Sequence, residues 1–349
     1  MDKGVFPDAA GAARRLLERA FNRIVRCSSA IAQRFAVEAL PAQLNLAYRK
    51  VLELQAGGAG EEAALYGDDR GVRPPQQLHG PPLSYEYLLE LDAALQIPYS
   101  FERPTAVIIK HGEPRGLASA EAIEEAFARA YAADERGAVW GLAGLNRPLT
   151  EGGAKLLARH SVDGVLAPAY ERGALEILKR RKGFHVVEGG PLQGGAERAL
   201  KQTVFGLLAR VQRAGQAPAD ELKAVSRRAP TEQEWADVLF AWKGLPWFRR
   251  EAVLLVSNEC VVGVGAGQGS LLDATELAIY RAAERTRGSV LVTGTALPSR
   301  DLVDLAAAAR VALIIGPEGR ASKEEVIRAA DEQGLVLVFA GQHRPAADS

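Results

Sequence analysis

Lys110 and His111 stand side by side where an apolar, β-branched run ends, and Gly112, Pro114 and Gly116 follow at once in "VIIKHGEPRGLAS". A histidine titrates near neutrality and can shuttle a proton, while a lysine ammonium can stabilise developing negative charge. Together they could deprotonate a reacting amine and steady the anion that results. The same two letters also describe a solvated lysine beside a packed histidine at a strand end. Other chemically capable residues are few. His79 falls in a Gly/Pro-rich loop and His160 at a helix end, which points to surface roles. His185 alternates with Val186 and Val187 in "FHVVE", a structural placement. Cys27 and Cys260 lack both a disulfide framework and zinc-ligand spacing.

Positioning the Lys–His pair requires a strand, and the surrounding pattern supplies a regular alternation. "LSYEYLLELDAAL" reads as a helix with Ser84 as N-cap, followed by the strand "AVIIKH", the helix "SAEAIEEAFARAYAADE" and the apolar "AVWGLAGLN". "EGGAKLLARH", "VDGVLAP", "ERGALEILKRRKG" and "FHVVE" continue as helix, strand, helix and strand. Residues 189–219 are less periodic and mark a subdomain junction. Beyond them, Thr231 and Glu234 spell a capping box, and "EAVLLVSNECVVGVG" reads as a hairpin turning near Ser257 and Asn258. Helices and strands then alternate to "LVLVFAG". Residues 10–38 form an amphipathic helix, whereas "GGAGEE" and "GDDRGVRPPQQLHGPP" read as loops. Trp235, Phe240 and Trp242 follow helical spacing and read as core or interface. The expectation is an α/β protein with helices on both faces of its sheets.

Two turns invite a binding reading. Gly265 and Gly267 in "GVGAGQ" suit a tight strand-to-helix turn; the third glycine of a dinucleotide loop is missing. "IIGPEGR", with Pro317 and Gly319, could hold a carboxylate or phosphate on backbone amides, or serve as a plain turn before a helix starting near Ser322.

Composition bounds the partners. The chain has 349 residues, with Lys+Arg and Asp+Glu both at 43, so bulk charge offers nothing to nucleic acid. No apolar stretch reaches membrane-spanning length, and no membrane association is expected. A reduced, cytoplasmic protein fits the cysteine usage.

Taken in order, "LSYEYLLELDAAL", "VIIKHGEPRGLA", "AYAADERGAVWGLAGLNRPL", "ALEILKRRKGFHVVE", "VGVGAGQGS" and "EEVIRAADEQGLVLVF" resemble the AICAR transformylase family, the folate-dependent formyltransferase part of a bifunctional purine-biosynthesis enzyme. The resemblance implies two tandem cytidine-deaminase-like α/β/α subdomains, residues 1–200 with a helical N-terminal segment and residues 201–349. It also implies a chain without the cyclohydrolase domain that precedes this part in the family. It further implies 10-formyltetrahydrofolate as cosubstrate, a small-molecule amine acceptor, and a dimer with sites at its interface, formed with itself or with a related subunit. Lys110 and His111 match the family's catalytic pair. Carried over residue by residue, Gly265, Gly267 and Gln268 fall on the substrate side, and Pro298, Pro317, Gly319 and His343 on the folate side. No metal is implied, and a deaminase-like zinc site lacks its Cys-x-x-Cys with a nearby His-x-Glu.

The departures fall where the chemistry belongs. The family's Arg-Tyr-Gly-Glu-Asn-x-His-Gln signature is replaced by "QAGGAGEE", which has no arginine to clamp a phosphate. Tyr-Asn-Asn becomes Tyr85, Glu86, Tyr87, and Trp140 enters a glycine stretch. The family's catalytic Asn aligns with Glu251, a carboxylate that could act as a base or, protonated, as an acid. The arginine after Gly-Gln-x-Ser is Leu271, and the folate-side acid and aromatics are lost from "TGTALPS". Two functions remain open: a formyltransferase with a changed amine acceptor, and a non-catalytic subunit with a structural or regulatory role.

Overall fold

The computed structural model describes residues 9–56, 61–67, 74–190, 198–211, 221–249, 251–297, 299–319 and 323–341. The chain divides into two compact units, Met1–Pro74 with Ala196–Arg213, and Pro75–Gly195 with Ala214–Ser349. The first unit opens with helix α1 (Ala9–Phe35), followed by the antiparallel pair β1 (Arg49–Leu54) and β2 (Ala63–Gly67). Leu16, Leu17, Phe21, Ile24 and Val25, which carry the helical spacing of α1, are all exposed.

The second unit begins with β3 (Gln76–His79), in a stretch whose Gly/Pro content reads as loop. Then come α2 (Tyr85–Tyr99), β4 (Thr105–Lys110), β5 (Glu113–Ser119), α3 (Ile123–Ala133), α4 (Glu135–Ala138) and β6 (Leu142–Leu145). α5 (Glu151–Ala158), β7 (Gly164–Ala167), α6 (Arg172–Leu178) and β8 (His185–Glu188) complete a six-stranded sheet of order β3-β8-β7-β6-β4-β5. Ser84 caps α2 as its sequence indicates, its hydroxyl accepting from Tyr87 N at 3.1 Å.

Between the two sheets in sequence lies an antiparallel hairpin, β9 (Arg198–Thr203) and β10 (Gly206–Val211), which belongs to the first unit. The junction stretch therefore contains structure of its own.

The second sheet is built from β11 (Lys223–Ala224), α7 (Glu232–Gly244), β12 (Val253–Val256), β13 (Val261–Gly265), α8 (Leu271–Ala282) and β14 (Val290–Thr293). α9 (Arg300–Ala308), β15 (Leu313–Pro317), α10 (Lys323–Gln333) and β16 (Val336–Ala340) follow. Its order is β11-β16-β15-β14-β12-β13. The capping box on α7 is present, with Thr231 and Glu234 bonded reciprocally.

The two sheets share one topology. In each, an antiparallel hairpin is followed by three mutually parallel strands, and the short first strand closes the far edge antiparallel. Strands β4, β6, β7, β12, β14, β15 and β16 are buried on both faces, apart from Lys110 and Pro317 at the ends of β4 and β15, which explains their unbroken apolar runs. One apolar cluster links the faces covered by α3, α5 and α6 in the first sheet and by α8, α9 and α10 in the second. Each fully buried aliphatic side chain there, such as Ile108 or Ile314, contributes about 1.5–3 kcal/mol. Among the described residues no helix is long and apolar enough to cross a membrane.

The sheets meet edge to edge. β5 and β13 touch at a single antiparallel bridge, Ala118 to Cys260, and Ser119 N donates to Glu259 O at 2.9 Å. Arginines brace the seam. Arg129 donates to Ser119 O at 3.0 Å and to Asn258 O, Arg103 pairs with Glu259, and Arg285 reaches Ala132 O and Ala133 O at 3.0 Å each.

Candidate functional site

The Lys–His stretch is a β-hairpin. Lys110 pairs with Glu113 at the end of the β4–β5 ladder, and His111 and Gly112 form the two-residue turn. Both have positive φ, 55° and 72°, the handedness that a two-residue hairpin turn requires. Reading the segment as a strand that breaks into a Gly/Pro turn is thus corrected: Pro114 and Gly116 lie inside β5. Pro114 is tolerated because β5 is the last strand of its sheet, and a bulge after Ile108 leaves Arg115 unpaired. Gly116 is required, since a Cβ there would lie 1.8 Å from Ala130 O of α3.

The hairpin tip is fixed from α2. Glu90 Oε1 accepts the amide of His111 at 2.6 Å. Burial raises the Glu90 pKa, opposed by that amide and by the charges of His111 and Lys110. The half-buried Lys110 donates its ammonium to Val139 O at 2.6 Å. The His111 ring is exposed.

Next to Lys110 lies a polar group that spacing alone did not reveal. Asp163, just before β7, has its pKa raised to about 6 by burial first and by the Glu90 charge second, with Lys110 opposing. Tyr87 of α2 stacks on His185 of β8 with ring centroids 4.0 Å apart. Burial pushes the Tyr87 phenol far above its ordinary value, and the negative charge of Asp163 adds to the shift. Burial lowers the His185 pKa, with His79 adding to the effect, which favours a neutral ring. Gly164 makes room for the phenol, because a Cβ there would lie 2.0 Å from Tyr87 Oη. Tyr87 Oη, Asp163 Oδ1 and His185 Nδ1 are buried without a hydrogen-bond partner among the described residues. The Tyr87–Asp163 coupling is therefore electrostatic rather than a well-formed hydrogen bond. His185 is 9% exposed, as its strand placement implies.

The second sheet repeats the hairpin device. Asn258 and Glu259 carry φ of 52° and 54° in the β12–β13 turn. Asp237 of α7 accepts both their amides, at 2.9 and 2.6 Å. "SNE" is thus the turn equivalent to His111–Gly112. Glu251 precedes β12, exposed and with φ of 62°.

Strand register gathers most of the second-half candidates at one end of that sheet. Val253, two residues after Glu251, pairs with both Gly265 and Thr293, and Pro317 pairs with Ala340. Gly265 presses on α8, where a Cβ would lie 1.8 Å from Ala274 O, and Gly267 has φ of 74°. Gln268 folds back towards Ala266 O at 3.4 Å. Pro317 ends β15 and Gly319 follows it, and Glu318 between them pairs with Lys323 at 2.7 Å. Pro298 and His343 lie outside the described residues, as do Arg320 and Ser322.

Beyond the Ala118–Cys260 bridge the two edge strands diverge around a cleft of about 550 Å³. Glu113 and Arg249 both line it and are in ion-pair contact. This contact joins the residue after the His111–Gly112 turn to the segment leading into Glu251. None of Lys110, His111 and Glu251 lines the cleft, and neither does Trp140, which is 67% exposed. Among the described residues no group of three or more His, Cys, Asp and Glu could hold a metal ion.

The family model for the AICARFT/IMPCHase bienzyme matches residues 9–281. The bifunctional purine biosynthesis protein PurH of Oceanobacillus iheyensis is 33% identical over 308 residues, and that of Shouchella clausii 32% over 306. Each alignment covers 86% of this chain, which spans about 60% of the length of these curated relatives. Among solved structures, Acinetobacter baumannii RibD, form 2, is similar over 25% of this chain and 27% of its own, at 16% identity and a TM-score of 0.20; so slight a likeness carries no argument.

Proposed function

Because the chain belongs to the AICARFT/IMPCHase bienzyme family, we propose that it moves a formyl group from 10-formyltetrahydrofolate to a small amine other than the usual purine nucleotide. The observation that carries this reading is the Lys110–His111 pair at a hairpin tip, with the His111 amide held by Glu90 and the Lys110 ammonium donating to Val139 O. In this reading the acceptor amine attacks the formyl carbon as His111 takes its proton. The Lys110 ammonium, already poised as a donor, steadies the tetrahedral oxyanion. The proton then returns to the folate nitrogen as its bond to the formyl carbon breaks. Glu251 enters as a base for a more basic amine, or as an acid. Gly265, Gly267 and Gln268 lie on the acceptor side, and Pro298, Pro317, Gly319 and His343 on the folate side. The stretch "QAGGAGEE", which lacks the family's arginine, is the sequence feature that speaks against a phosphate-bearing acceptor.

The same reading takes residues 1–200 and 201–349 as two cytidine-deaminase-like subdomains, acting as a dimer in the cytoplasm. Its test is turnover of 10-formyltetrahydrofolate with a panel of amines, with His111→Ala as the variant. A fall of roughly 10²–10⁴-fold with folding intact is expected. Wild-type turnover in the variant would sink it.

A second reading, a non-catalytic subunit, draws on the fact that Lys110, His111 and Glu251 do not line the inter-sheet cleft. Calorimetry with a folate analogue separates the two: saturable binding favours the enzyme, and none favours the subunit.

A further inference from the structure

We propose that the cleft between the edges of β5 and β13 binds a small anion with a flat, aromatic body, a carboxylate or a phosphate ester. This goes beyond the formyl-transfer reading and uses none of its residues. The volume of about 550 Å³ lies within the range of small-molecule sites.

Charge decides the sign of the ligand. Four guanidinium groups, from Arg115, Arg136, Arg249 and Arg281, face two carboxylates, Glu113 and Asp134. Both carboxylates already have partners, and Glu113, whose Oε1 makes no hydrogen bond among the described residues, has them as ion pairs. Glu113 is in contact with Arg249 and lies 3.7 Å from Arg115, and Asp134 accepts the amide of Gly137 at 2.9 Å. The arginines are less fully used. Arg136 has no ion pair or hydrogen bond among the described residues, and Arg281 spends one Nη on Val264 O at 2.9 Å. Arg115 Nε is buried with no hydrogen-bond partner among the described residues, while its Nη2 lies 3.7 Å from Glu113. A buried donor left unmatched calls for an acceptor, and spare guanidinium groups match the fork of a carboxylate or phosphate.

Shape decides the rest. Tyr280 projects from α8 with 82% of its surface exposed, an unusual state for a large aromatic, and it lines the cleft opposite β5. Phe248 adds a buried apolar wall. A ring seated against Tyr280 would cover that surface while its charged group reached the arginines.

The test uses the full chain and four probes: phenyl phosphate, benzoate, inorganic phosphate and phenol, titrated by calorimetry. One aromatic anion is expected to saturate with a Kd at or below about 1 mM, and the tighter of the two identifies the charged group. Arg136→Ala should weaken it roughly tenfold. Tyr280→Ala should weaken the aromatic anion while leaving inorganic phosphate unchanged. Both side chains are exposed, so neither variant threatens the fold. The proposal is overturned if neither aromatic anion saturates, if phenol binds equally well, or if both variants bind as the parent does. Loss of formyl transfer in His111→Ala would be unaffected by any of these results.

Discussion

Glu90 Oε1 accepts the amide of His111 at 2.6 Å, so a carboxylate on α2 holds the turn that carries the Lys–His pair. Asp237 on α7 holds the turn of the second sheet in the same way. The Lys–His hairpin and its counterpart are thus built on one plan, a helix carboxylate seated on a two-residue turn with positive φ.

Glu90→Gln is expected to loosen that turn. A hydrogen bond to a charged acceptor contributes about 1.5–3 kcal/mol, and a half-exposed one falls at the low end. Urea unfolding should show a loss of about 1.5 kcal/mol, and hydrogen exchange should quicken at His111 and Gly112. Unchanged exchange at both amides would remove Glu90 from its assigned role.

The raised pKa of Asp163 makes stability depend on pH. Its folded value of about 6, against an ordinary 3.8, means the folded protein binds this proton more tightly than the unfolded chain. The contribution is therefore complete below about pH 4 and is lost as pH rises through 6. Allowing for partial solvent screening, it amounts to roughly 1–2 kcal/mol. Asp163→Asn should flatten the pH dependence of the urea midpoint between about pH 4 and 7, by the amount that proton linkage assigns to one group.

Gly116→Ala and Gly265→Ala should each destabilise the protein by about 3 kcal/mol. In both, the added methyl would lie 1.8 Å from a helix carbonyl, Ala130 O or Ala274 O, and backbone cannot step aside as a side chain would. Gly183→Ala is the contrast: nothing lies within 4 Å, but φ is 77°, so the cost is conformational alone, about 1 kcal/mol. Thermal unfolding of the three variants checks the order.

Glu251 holds a φ of 62°, which costs a non-glycine residue about 1–2 kcal/mol. Asn tolerates this region best among residues with a side chain. Glu251→Asn should therefore raise stability by about 0.5–1 kcal/mol, read as an upward shift of Tm. If Glu251 also serves the reaction, the same variant should change the pH profile of turnover.

The sequence by itself determined the helices, because their signals are local: Ser84 on α2 and the Thr231–Glu234 box on α7 act within one turn of chain. It determined most of the central strands, whose burial on both faces demands unbroken apolar runs, and it placed the β12–β13 turn. It also carried the family likeness and the Lys–His pair. It did not reveal β5, because Pro114 and Gly116 are poor strand residues whose cost disappears only at a sheet edge against α3. It did not reveal Asp163, Tyr87 and His185 as neighbours of one another, since they come from three elements that only sheet order brings together. The cleft is the clearest case. It exists because Ala118 and Cys260, distant in sequence, fix the register of two edges that then diverge, and non-local register is a property of the packed sheets rather than of any local stretch.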